Sequence, residues 1–195
     1  MANAERITHL GIDFGARNAG TTVVCYLRNG IFHFQRSAKD VDGDAWLENT
    51  IASLRPGTIY IDAPLSLPGV YQGRGDDYFF RAADHQARGM SPMFLGGLTA
   101  RAMRLAAGWR KQGIVVHEVY PAALIRHAWE SLEVEPRKAI PRSKLRIMAG
   151  MVAVPMPETH DRHEADAWLC WVIGHRHQRG ESIMHGNAEE GVILA

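Results

Sequence analysis

Three short apolar runs, each closed by an acid, constrain this chain most: Leu10-Gly11-Ile12-Asp13, Thr58-Ile59-Tyr60-Ile61-Asp62 and Ile114-Val115-Val116-His117-Glu118. β-Branched and aromatic residues favour strands, aspartate is depleted there, and an ionised carboxylate is costly to bury unless it is paired or binds a cation. A fourth acid, Asp166, interrupts the apolar helical segment from Ala165 to Ile173. These acids are far apart in sequence and meet only if their strands are neighbours in one sheet. An oxygen-rich cluster of that kind suits magnesium or manganese, whereas zinc recruits more His or Cys. The leading expectation is therefore an enzyme with a metal site.

Composition excludes several other classes. The 195 residues, 46% hydrophobic and 22% charged, fit a single domain able to bury about 70% of its unfolded surface. No apolar run approaches the roughly 20 residues that span a bilayer. Met1 to Arg6 lacks the apolar core of a secretory signal, so a cytoplasmic protein with no membrane partner is expected. Cys25 and Cys170 have neither disulfide-framework nor zinc-site spacing, and their apolar segments suit buried thiols. A formal net charge of +1 provides no global field for nucleic acid, so any polyanion must meet a local patch. The richest patch is residues 126–146, where Arg126, Arg137, Lys138, Arg142, Lys144 and Arg146 stand against Glu130, Glu133 and Glu135. A solvated mixed-charge face is the plainer reading of that stretch.

Along the chain, residues 7–14, 20–28 and 30–36 read as an antiparallel meander with Asn29-Gly30 as a hairpin turn signal. Trp46, Ile51 and Leu54 mark a helix over 43–54, ended by Pro56-Gly57 ahead of the strand at 58–61. A helix between strands implies a right-handed parallel crossover. Residues 64–91, rich in Gly and Pro, read as a long functional loop with room for a short helix over 77–88. Leu98, Ala102, Leu105 and Trp109 form an apolar helical stripe, and Gly113 separates it from the strand ending near Glu118. Pro121 breaks that strand before a short helix at 122–129 and an excursion at 130–142. The last helix runs from Arg162 to His177, opened by Asp161-Arg162-His163-Glu164, which fits a capping box. Residues 178–195 show no clear element and read as a tail, with Val192-Ile193-Leu194 the segment able to pack.

Asp13 and Asp62 make the strongest pair, because carboxylates on adjacent strands repel unless a cation or a shared proton compensates. Taken singly, Asp13 also reads as an Asx turn before Gly15, and Asp62 as a turn acid before Pro64. Asp166 shares a helix face with Cys170, Ile173 and His177, with a helix-dipole acid as the alternative. His163, close to that face, is a candidate ligand or proton carrier. Glu118 is a candidate third ligand or a carboxylate behind the ligands, and Asp161 is better explained as a cap. Gly11, Gly15 and Gly20 with Arg17 and Asn18 could accommodate a phosphate, although neither a P-loop nor a dinucleotide fingerprint is present. Tyr71, Arg74, Tyr78, Phe79, Phe80 and Arg81 place aromatics among cations, a composition able to stack bases. A packed surface loop explains the same residues.

Together these elements resemble the RNase H-like superfamily, whose hallmark is the aspartate of the first strand. More narrowly, Gly11-Ile12-Asp13, Ile61-Asp62-Ala63-Pro64-Leu65, Arg81-Ala82-Ala83-Asp84, Glu118-Val119-Tyr120-Pro121 and Asp166-Ala167 resemble the ordered motifs of family 429 of the domains of unknown function, described as predicted nucleases. The segment His163-Glu164-Ala165-Asp166-Ala167 is similar to the last acidic helix of RuvC-type junction resolvases. The resemblance covers residues 7–177. It implies an α/β fold with a mixed five-stranded sheet, three antiparallel strands and then parallel ones, flanked by helices. It also implies that Asp13, Asp62, Asp166 and His163 surround two divalent ions, Mg2+ or Mn2+. Glu118 matches the narrower family's motif and not clearly the resolvase pattern.

The expected function is a divalent-metal-dependent nuclease that hydrolyses phosphodiester bonds in DNA or RNA by a two-metal-ion mechanism. Its catalytic residues would be Asp13, Asp62, Glu118, His163 and Asp166. Arg17, Arg74, Arg81, Arg137, Lys138, Arg142 and Lys144 would hold the nucleic acid. One alternative is a non-catalytic nucleic-acid-binding module that keeps the fold and the acids. Another is an actin-like ATP-binding phosphotransferase, although such proteins generally need two of these domains. The sequence leaves DNA against RNA, endonuclease against exonuclease action, and monomer against homodimer open.

Overall fold

The computed structural model describes residues 7–128 and 142–195. Within them β1 (His9–Asp13), β2 (Val23–Arg28), β3 (Ile31–Arg36), β4 (Thr58–Asp62), β5 (Val115–Val119), β6 (Met184–Asn187) and β7 (Gly191–Leu194) form one mixed sheet. Their spatial order is β3-β2-β1-β4-β5-β7-β6. The first three strands are the expected meander. Asn29 and Gly30 both take positive φ, 52° and 72°, which gives a two-residue turn whose twist matches the flanking strands.

Parallel crossovers then build the centre of the sheet. Helix α1 (Gly43–Leu54) lies between β3 and β4 at the residues its spacing predicts. Asp42 caps it by accepting from the Asp44 and Ala45 N–H groups, and Arg55 ends it in the left-handed conformation before Pro56. Helix α4 (Gly97–Lys111) leads into β5. Alternation sorts the strand residues between two cores. Leu10, Ile12, Val24, Ile59, Ile61 and Val116 pack against Leu47 and Ile51 of α1 and Leu105 and Trp109 of α4. On the other face Val23, Cys25, Tyr60 and Val119 meet α5 (Pro121–Ala128), α6 (Arg142–Met151) and α7 (Arg162–Gln178), with Trp168 and Trp171 at the centre. Cys25 and Cys170 are buried free thiols in this second core.

The sheet has seven strands rather than five, and the extra pair comes from the segment read as a tail. Val192-Ile193-Leu194 supplies β7, which runs parallel to β5 and pairs Glu118 with Ile193, while β6 folds back antiparallel on β7. The hairpin covers what would otherwise be the open edge of β5. Helix α6 also went unpredicted, although Leu145, Met148, Ala149 and Val152 fall at helical spacing and are all buried. The expected loop at 64–91 carries a 3₁₀ turn (Gly69–Gln72) and a short α2 (Ala82–Ala87), with α3 (Pro92–Leu95) directly after it. Pro121 and Pro92 each open a helix, where a missing N–H costs nothing. No helix among the described residues is long and apolar enough to cross a membrane.

Candidate metal centre

Strands β1 and β4 run parallel with Asp13 paired to Asp62 at their C-terminal ends. Paired residues on neighbouring strands point to the same face with backbones about 4.8 Å apart, so register alone brings the two carboxylates together. That face lies under α7. Gly11 decides how closely the helix approaches, because a methyl group there would collide with the Ala167 carbonyl and the Trp171 backbone nitrogen. The helix lies against β1 and carries Asp166, next to Ala167, to the two strand acids.

Burial, then Asp13, Asp166 and Glu118 in turn, push the Asp62 carboxyl well above the usual range, with Arg162 opposing. Burial and Asp13 raise Asp166 to about 6 against the pull of Arg162. His163, one helical turn before Asp166, sits with Nδ1 2.7 Å from Asp13 Oδ2. That bond, ahead of all other influences, raises its pKa above the ordinary imidazole value. Arg162 Nε donates to Asp166 Oδ2 at 3.0 Å. The start of α7 fits the expected cap in part. Asp161 accepts from Glu164 N–H at 3.1 Å, but the Glu164 carboxylate reaches back to His160 N–H at 2.7 Å, one residue before the cap.

Glu118 does not join this cluster. It pairs with Ile61, one residue short of Asp62, and a one-residue offset turns a side chain to the opposite face. There it accepts from Arg81 through both oxygens, at 2.7 and 2.8 Å, and from Leu65 N–H at 2.8 Å. Arg81 is fully buried. Besides Glu118 it binds Asp84 through Nε and Nη2, at 3.0 and 2.6 Å, and Ser66 Oγ at 2.7 Å. The expectation that Arg81 contacts nucleic acid is therefore corrected, since its guanidinium is out of a phosphate's reach. Glu118 is corrected likewise, from a catalytic group to the acid that holds Arg81.

The other expected cations are dispersed. Arg17 is exposed and pairs with Asp42 at 3.0 Å. Arg74 donates to Gln72 and to the Glu189 carbonyl, both at 2.5 Å. Arg142 is exposed at the start of α6. Arg137 and Lys138 lie outside the described residues, as does the side chain of Lys144. Arg36 went unnoticed in the sequence. Its Nη2 lies 2.5 Å from Asp161 Oδ2 and 3.8 Å from Glu164. Pairing runs Asp62–Asp13–Val23–Arg36 across four strands, so Arg36 stands in the same row as the two acids. The signal was present: the Asn29-Gly30 turn sets Arg28 against Ile31, and counting outward sets Val23 against Arg36.

The chemistry of the donors suits a hard divalent ion, because Asp13, Asp62 and Asp166 offer carboxylate oxygen and their mutual repulsion is what such a cation relieves. As placed, no group of three or more His, Cys, Asp or Glu among the described residues is arranged to hold a metal ion. Arg162 is the cation paired with Asp166, and the His163 imidazole lies against Asp13. No protein-family model, curated protein or solved structure matches the chain.

Proposed function

We propose that the chain is a divalent-metal-dependent nuclease of RNase H-like fold, hydrolysing phosphodiester bonds in DNA or RNA around Asp13, Asp62 and Asp166. The observation that carries this reading is the register pairing of Asp13 with Asp62 beneath Asp166, with the carboxyls of Asp62 and Asp166 both pushed upward. Acids gathered at such a cost have a rationale if a cation offsets it. Magnesium or manganese, when bound, activates an attacking water and stabilises the leaving oxygen. Asp13, Asp62 and Asp166 are the residues that would hold it. His163, bonded to Asp13 with its pKa raised by that contact, is a group able to carry a proton beside the cluster. Exposed Arg142 is offered to the phosphates, while Arg17 is engaged with Asp42.

A second reading, a module that binds nucleic acid without cleaving it, is favoured by the Arg162–Asp166 ion pair and the His163–Asp13 contact, which already engage two of the three acids. One experiment separates the two. Labelled single strands, duplexes, RNA–DNA hybrids and four-way junctions are incubated with magnesium, manganese or chelator, comparing wild type with Asp62→Asn. Metal-dependent cleavage lost in the variant supports the nuclease. Full activity in Asp62→Asn overturns the site, and tight binding without cleavage by the wild type supports the second reading.

A further inference from the structure

The C-terminal hairpin meets α5 through two histidines. His127 is exposed on α5 and His185 buried on β6, and their Nε2 atoms lie 3.3 Å apart. The rings are inclined by 16° with centroids 5.4 Å apart. The centroids are farther apart than the nitrogens, so the rings meet edge to edge, Nε2 toward Nε2. Two neutral imidazoles in that position share one proton, one donating and the other accepting. An imidazole nitrogen that accepts a proton also serves as a metal donor.

We propose that His127 and His185 form a two-histidine site for a borderline divalent ion, zinc, copper or nickel, completed by water, that ties β6 to α5. The spacing fits: at a zinc–nitrogen distance of about 2.05 Å, nitrogens 3.3 Å apart subtend an angle of about 107° at the metal, close to tetrahedral. Imidazole donors select these metals over magnesium or calcium. Arg126, the adjacent cation, is committed to the Ala87 carbonyl and lies 5.4 Å from the Tyr120 ring centroid. Gly186 N–H donates to Gln86 at 2.7 Å, and this fixes the strand that presents His185. The site uses none of the acids under α7 and does not depend on the nuclease reading.

Zinc and copper(II) are titrated separately into the full chain by calorimetry, with copper also followed by electron paramagnetic resonance. His127→Ala is the variant, since an exposed residue is replaced without disturbing the core. The expected result is an ion bound through two nitrogen donors, a metal-dependent rise in Tm, and affinity for that ion lower by at least about tenfold in His127→Ala. The two-nitrogen copper signature belongs to the histidines and not to the acids under α7, so it persists whether or not the nuclease reading stands. Equal affinity of wild type and His127→Ala, or no binding by a folded wild type, overturns the proposal.

Discussion

Asp166 and Arg81 both lie among carboxylates, and the protein treats them in opposite ways. Arg81 is fully buried and bonded to Asp84, Glu118 and Ser66. Removing one side of a buried ion pair costs about 3–5 kcal/mol, because the charge left behind is uncompensated. Arg81→Met should therefore lower urea stability by about that amount. Arg81→Lys should restore little of it, since a compact ammonium with three donors cannot reproduce the five bonds that the planar guanidinium makes to Asp84, Glu118 and Ser66. Asp166 instead carries an excess of like charge. Its folded pKa of about 6 lies above the unfolded value, so the native state binds the extra proton and stability falls as pH rises between roughly 4 and 6. The full effect at neutral pH is on the order of 3 kcal/mol. His9 and His117, both buried down to about 4, act in the other direction. Each costs stability as pH falls below its unfolded value near 6.5, by about 1.4 kcal/mol per pH unit. The measurement is thus the difference between wild type and Asp166→Asn. In metal-free buffer the variant should gain on the wild type from pH 4.5 to 7, and a pH-independent difference would exclude a raised Asp166.

At the scale of elements, the candidate site depends on the fit of α7 to the sheet. Gly11 admits the backbone of α7 at Ala167 and Trp171, and Gly174 admits the Tyr60 ring in the same way from the helix side. Backbone cannot yield as a flexible side chain can, so Gly11→Ala should cost about 1–3 kcal/mol of stability. It should also lift Asp166 away from Asp13 and so return the Asp166 pKa toward the ordinary carboxylate range, read by the carboxyl resonance in NMR. An unchanged Asp166 titration in a folded Gly11→Ala protein would show that the glycine does not set this distance. Much of this arrangement was legible in the sequence. The apolar runs located β1, β4 and β5, Asn29-Gly30 fixed the hairpin, and the polar break at Asp166 marked α7. Parallel register was not legible, because a helical crossover leaves the offset between strands undetermined. Glu118 therefore looked like a third acid until its pairing with Ile61 turned it to the other face. Arg81 looked like a surface cation for a related reason, since the burial of a charge depends on partners such as Glu118 that lie far along the chain.

For the molecule as a whole, the C-terminal hairpin joins regions that the sequence kept apart. Strand β6, Met184-His185-Gly186-Asn187, has neither apolar alternation nor length, so only tertiary pairing with β7 identifies it as a strand. Between β6 and β7 the chain grips the segment that follows Asp62. The Glu190 carboxylate accepts from Gly69 N–H at 2.8 Å and from Ala82 N–H at 3.0 Å, and Ser66 Oγ donates to the Glu190 carbonyl at 2.5 Å. One side chain thus closes both ends of the 69–82 excursion. Glu190→Ala leaves two backbone donors without that acceptor, and each part-buried donor so orphaned costs about 1–3 kcal/mol where water cannot replace it. The loss should fall first on the gripped segment, because local opening needs only the contacts that hold it. Amide hydrogen exchange should therefore accelerate between Leu65 and Ala82 in Glu190→Ala, while β1, β4 and α7 keep their protection. Uniform acceleration across the sheet would assign Glu190 to global stability, and unchanged exchange would mean that Ser66, Arg81 and Glu118 hold the segment without it.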